Sequence, residues 1–274
     1  KPEESRLTMP CGLRYSRGAD ADYEIATIQT RKLRAMIFSV EDEELLRTYK
    51  RIRNVQKALN ADLVSRLPKN TVLESAKRLG LTRGKAMIFN SVHESTVLFD
   101  YCLYSARTGG KTPVEWYAAK TPPPPDSDEM TVFRAMLDSY FFIFTVRRVY
   151  KGRGISLYNF QKDKEILLMD IGFGETAVPN MLLAGRILSF QDFHMSAGAF
   201  LPLSDKPVMD AVMPIVDKWL LDHPEWGRTK PSPGLEANVS AQIIRAALRA
   251  GAMDSVEYQE MTEAVRNKKR PPID

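Results

Sequence analysis

Residues 140–203 constrain the fold more than any other stretch, because they break into five short apolar runs separated by turn residues. Phe141–Tyr150 (FFIFTVRRVY) is rich in aromatic and β-branched residues, which suit a pleated surface. It predicts a strand whose first half is buried on both faces and whose second half turns basic. In Lys151-Gly152-Arg153-Gly154 two glycines are able to take positive φ, so the chain reverses into a second strand, Ile155–Phe160, and forms a hairpin. A polar turn at Lys162-Asp163-Lys164 leads into Ile166–Ile171. Val178-Pro179-Asn180 then leads into Met181–Phe190, and Phe193–Leu203 completes the set. Gly185 marks a bulge or bend in the fourth run. Five strands at regular spacing predict a small antiparallel β-barrel or sheet, and closure into a barrel is favoured because it removes exposed edges.

The flanking sequence has helical periodicity, so the fold class is α+β. The clearest boundary is Thr121–Glu129 (TPPPPDSDE), whose four prolines favour a semi-rigid polyproline II spacer. It divides a helical, partly basic region, 1–121, from a β-barrel or sheet with flanking helices, 126–274. Residues 1–24 read as an irregular lead-in. A helix over Ile25–Leu67 carries Leu45, Tyr49, Ile52, Val55, Leu59 and Leu63 on one stripe. Ser91–Ala106 reads as a buried helix with Cys102 in the core, Ser91 as cap and Glu94 three residues later; Pro113–Lys120 reads as a short one. Past the prolines, Asp126 with Glu129 fits a capping box ahead of Met130, Phe133 and Leu137. Pro214 should kink or break a helix over Pro207–His223. Glu236–Ala250 and Ser255–Val265 then make a helical hairpin about Gly251.

Thr71–Phe89 (TVLESAKRLGLTRGKAMIF) has the cadence of a helix-turn-helix, with a capping box at Thr71 and Glu74 and the turn at Gly80. Gly84 interrupts the segment where a recognition helix would run, and Met87-Ile88-Phe89-Asn90 reads as much like a strand or a buried turn. An ordinary α-hairpin corner is therefore the preferred reading over a DNA-reading element.

The order of a basic strand, the KGRG turn, a short strand, a charged turn, a strand, the LLAGRIL strand and a small-residue strand ending in LPL resembles the β segment of uncharacterised bacterial proteins. Some of those carry a Cys-rich SEC-C zinc motif. This chain has no Cys-rich cluster, so the resemblance carries over neither a zinc site nor an activity.

Charge is the strongest functional signal. Between Arg31 and Lys85 there are 14 Lys plus Arg against 6 Asp plus Glu, an excess larger than the whole chain's +5. Arg47, Lys50, Arg51, Arg53 and Lys57 crowd the first helix, and Arg147, Arg148, Lys151 and Arg153 line the β hairpin. The reading is a cytoplasmic binding protein that contacts nucleic acid or another polyanion through these nine residues. A solvated helix face is the plainer account of the same charges. The first alternative is a non-catalytic scaffold that binds a protein partner, which predicts an exposed apolar patch. The second is a carboxylate- or metal-dependent enzyme using Asp170 and Glu175, supported by Asp126 or Asp128.

No GxGxxG, Walker, HExxH or GxSxG pattern occurs, and no cofactor is assigned. Gly172-Phe173-Gly174-Glu175-Thr176 is read as a β-turn rather than a phosphate cradle. His93, His194 and His223 fall in three separate segments, so no metal ligands are assigned. Cys11 and Cys102 are too few for a disulfide framework, which favours a reducing compartment. No run approaches the ~20 apolar residues needed to span a bilayer. Asn267–Pro272 is a short basic tail.

Overall fold

In the computed structural model, residues 43–84, 86–159, 163–224 and 232–254 are described. The readings of residues 1–24 with Cys11, of the first helix before residue 43, of Ser255–Val265 and of the basic tail lie outside them. Helix α1 (Glu43–Ser65) buries Leu45, Tyr49, Ile52, Leu59 and Leu63 as its periodicity requires, but Gln56 takes the inward place expected of Val55. Helix α2 (Lys69–Leu79) starts without a side-chain cap, two residues before the box expected at Thr71, and stops at Gly80 in the left-handed region at φ 81. Two-residue strands β1 (Thr82–Arg83) and β2 (Ala86–Met87) follow as a hairpin. No recognition helix forms, because Gly84 adopts φ 62 and turns the chain back.

Helix α3 (Val92–Tyr104) is capped at Ser91 without a side-chain bond, while Glu94 accepts from the Asn90 amide at 2.6 Å. Helix α4 (Pro113–Lys120) begins with a complete capping box of Thr112 and Glu115. Helix α5 (Asp128–Leu137) is capped by Ser127, which accepts from Met130 N at 3.1 Å, and not by Asp126, which stands exposed one residue too early. Tyr117 of α4 meets Phe133 of α5 edge to face at 5.4 Å, so packing crosses the proline segment.

Strands β3 (Tyr140–Tyr150), β4 (Gly154–Asn159), β5 (Lys164–Met169), β6 (Leu182–Ser189) and β7 (His194–Pro202) pair in the order β3-β4-β5-β7-β6, and β6 returns to β3. The seam between β5 and β7 is a single parallel bridge, Leu168 to His194. The sheet is therefore mixed, which corrects the fully antiparallel barrel. Five strands cannot alternate direction around a ring, so one neighbouring pair must run parallel. Between β5 and β6 the segment expected as a β-turn is a short helix, α6 (Ile171–Thr176), capped by Asp170. Gly185 lies at the expected irregularity: the β6–β7 register shifts between Gly185 and Ile187, and a Cβ at Gly185 would sit 2.7 Å from the Phe200 ring. Helix α7 (Lys206–Asp222) runs through Pro214 as one element, since Pro214 faces solvent where water can take the freed carbonyl. Helix α8 (Pro233–Arg249) is capped by Ser232 and packs on α7.

Six consecutive residues of β3, Phe141–Val146, are buried because one face lines the inside of the curled sheet and the other lies under helices. One hydrophobic core joins Ala76, Leu79 and Leu98 to Phe144, Leu157, Leu168 and Leu183 and to Ile243 and Ala247. Among the described residues no helix is long and apolar enough to cross a membrane.

Candidate functional site

The start of the basic helix meets the turn of the basic hairpin. Arg153 in the β3–β4 turn pairs with Glu43 at the start of α1 at 2.6 Å, so the helix and the hairpin share one side of the molecule. Much of their charge is matched internally. Arg47 pairs with Glu44 at 2.7 Å, Arg51 with Asp128 at 2.5 Å and Arg53 with Asp170 at 3.5 Å. Arg53 is structural: its Nη1 donates to the Ser196 carbonyl at 2.7 Å and to Gln56 Oε1 at 2.9 Å. Gln56 and Asn60 both donate to the Ala197 carbonyl, so one polar edge of α1 is bolted to β7 where its register shifts. Arg147 lies over the Tyr158 ring at 4.7 Å and Arg148 stands beside Tyr150. Lys50, Lys57 and Lys151 are exposed and have no ion-pair partner among the described residues.

The carboxylates considered for catalysis are occupied or apart. Asp170 accepts from Phe173 N at 3.3 Å, from Ser196 Oγ at 3.0 Å and from Arg53. Asp128 is held by Arg51, while Glu175 and Asp126 stand in solvent. His93 lies in α3, His194 opens β7 and His223 ends α7 stacked on Trp219. Among the described residues no three His, Cys, Asp or Glu gather as a metal site would require. Cys102 is in the core, where burial pushes its thiol up to about 11 and so keeps it inert.

Two features were missed by reading the sequence. The first is a buried polar cluster on the helix-covered face of the sheet. Arg186 of β6 pairs with Glu236 of α8 at 2.5 Å and donates to Ser105 Oγ at 3.1 Å and Ser139 Oγ at 3.3 Å. Its guanidinium lies over Tyr104 at 5.2 Å. Asp100 of α3 has its Oδ1 shut off from solvent with no hydrogen-bond partner among the described residues, as has Arg186 Nε. Burial pushes the Asp100 carboxyl up to about 7, and the Arg186 charge pulls it partly back. A cavity of about 70 Å³ opens beside Arg186 and Glu236 and is also lined by Arg107 and Glu115. Those four form two matched ion pairs, so the cavity holds no unspent charge for an ionic ligand. A single Arg inside LLAGRIL and a single Asp inside VLFDYCLY were the signals available, because a charge within an apolar run demands a partner.

The second feature is the β1–β2 hairpin and the turn after it. Met87, Ile88 and Phe89 are 44%, 42% and 38% exposed and Val92 is 65% exposed, an apolar row on the surface. It is held out by the β1–β2 pairing and by the Ile88 amide, which bonds the Leu81 carbonyl at 3.0 Å.

A family model described as a family of unknown function, DUF7986, matches residues 43–218, well over half of the chain. The chain belongs to DUF7986. No curated protein and no solved structure matches it. The DUF7986 match takes in both basic clusters, the hairpin, Asp100 and Arg186, and stops before Glu236 and the rest of α8.

Proposed function

We propose that the protein is a non-catalytic binding protein of the cytoplasm that docks a segment of another protein on the β1–β2 hairpin. The observation that carries this is the surface row of Met87, Ile88, Phe89 and Val92, the patch a scaffold requires. The catalytic alternative has less support, since Asp170 is spent on a helix cap and an ion pair. A photo-crosslinking residue placed at Val92 tests the reading in cells. It is expected to give a discrete adduct with a protein that vanishes when Ile88→Asp is added, while the thermal melt falls by only a few degrees because Ile88 is 42% exposed. No adduct, or an adduct insensitive to Ile88→Asp, overturns it.

A second reading, contact with nucleic acid, is favoured by the Arg153–Glu43 pair, which brings the two basic clusters to one side. Lys50, Lys57 and Lys151 would carry its phosphate contacts. Each such contact contributes about −0.9 to the slope of log affinity against log salt, so replacing all three by Glu is expected to flatten the slope by roughly 3. Polarisation with single- and double-stranded oligonucleotides measures this. An unchanged slope, or no binding at micromolar protein and low salt, removes the reading.

A further inference from the structure

We infer that the segment docked by the hairpin is acidic as well as apolar, an amphipathic stretch with Asp or Glu flanking its apolar face; this rests on the docking reading above. Four arginines lie either in the hairpin or at the α2–α8 contact that leads into it. Arg83 is in the hairpin itself. Gly80, the residue before Leu81, sits against α8, where a Cβ would lie 3.5 Å from Arg245 Cγ and Nε and 3.8 Å from Arg249 Nε. Arg78, at the end of α2, hydrogen-bonds Asn238 of α8. None of the four has a carboxylate partner among the described residues, whereas Arg47, Arg51, Arg53 and Arg153 on the α1 side each have one.

Part of this charge has a local cause. Arg78 and Arg249 lie in the last turns of α2 and α8, where cations complement the helix dipole. Arg83 belongs to no helix and Arg245 sits a turn further back, so the dipole does not account for them. Arg presents a planar fork that matches a carboxylate in two bonds, and an aliphatic row beside it matches the apolar face of the same segment. Phosphodiester backbone would satisfy the arginines and leave Met87 and Ile88 without an apolar partner. An anionic membrane would satisfy both chemistries, but Met87, Ile88 and Phe89 are each more than half covered by the protein. Side chains that far covered leave little apolar surface to bury below the headgroups.

The test uses the full chain and three probes: a short amphipathic helical peptide with Leu on one face and Glu on the other, its counterpart with Lys for Glu, and anionic phospholipid vesicles. The Glu peptide is expected to bind about ten-fold or more tightly than the Lys peptide, since like charges facing each other cost at least ~1.4 kcal/mol. Arg83→Glu with Arg245→Glu is expected to reverse that preference without shifting the melt. Ile88→Ser with Phe89→Ser is expected to abolish binding of both peptides. Equal binding of the two peptides, lost in Ile88→Ser with Phe89→Ser, overturns the acidic partner and leaves the docking reading standing. Binding of neither peptide overturns the inference, and vesicle binding lost in the same variants replaces it with a membrane surface.

Discussion

Asp100→Asn is expected to leave stability nearly unchanged at pH 4 and to raise it progressively above that, with the gain complete near pH 8. The Asp100 carboxyl is enclosed beneath α3, and burial pushes it from an ordinary 3.8 up to about 7 in the folded state. Facing it are Arg186 of β6, whose charge Glu236 of α8 already matches, and the neutral Tyr104 and Cys102 of its own helix; Arg53 of α1 lies beyond Tyr104. A second carboxylate therefore finds no unspent cation. Between the unfolded and folded values the native state holds a proton that the unfolded chain has released, so stability falls as pH rises through that window and levels off above it. A gap of about three pH units corresponds to ~4 kcal/mol as an upper bound. Asparagine mimics the protonated acid and removes the slope. Urea melts of both proteins from pH 4 to pH 8 measure the difference, and parallel profiles would falsify the assignment. The thiol of Cys102 does not enter this window, since it titrates well above it.

The β segment was legible because its strands are short apolar runs separated by polar or turn-forming residues, and these act locally. Gly152 at φ 69 and Asn180 at φ 68 occupy the left-handed positions their types suit. The parallel seam was not legible, because Leu168 and His194 meet across α6 and β6 and no local pattern encodes that pairing. The same limit governs the site. The sequence displays Arg51, Arg53 and Arg153 as cations but not that Asp128, Asp170 and Glu43 neutralise them from 77 to 117 residues away. The hairpin was half legible. Gly84 announced a break, and Met87-Ile88-Phe89-Asn90 reads as a strand or a buried turn; the burial is what the structure corrects, since the β1–β2 pairing and the Ile88–Leu81 bond hold the row at the surface.

Arg186→Met is expected to cost about 3–5 kcal/mol, a fall in melting temperature of roughly 10 °C, because it leaves Glu236 buried without a counter-charge. Arg186 is almost wholly enclosed and holds Glu236, Ser105 and Ser139 together, so it ties β6 to α8 and to the ends of α3 and α5. Glu236→Gln is the milder lesion and behaves differently with pH. It keeps the bonds from Arg186 to the two serines and leaves Asp100 as the carboxylate facing the guanidinium. Above the Asp100 pKa that carboxylate is charged and takes over part of the pairing; below it, Arg186 is left uncompensated. The cost of Glu236→Gln should therefore be larger at pH 5 than at pH 8, whereas adding Asp100→Asn should hold it at the larger value throughout. Replacing Arg186, Glu236 and Asp100 together by Met, Gln and Asn removes every charge from the cluster and should recover much of the loss, since a buried ion pair seldom exceeds its own desolvation cost. Denaturant melts of the four variants at the two pH values separate these outcomes. A cost below about 1 kcal/mol for Arg186→Met would mean that the guanidinium is solvated, and the cluster would lose its role as the tie between the sheet and α8.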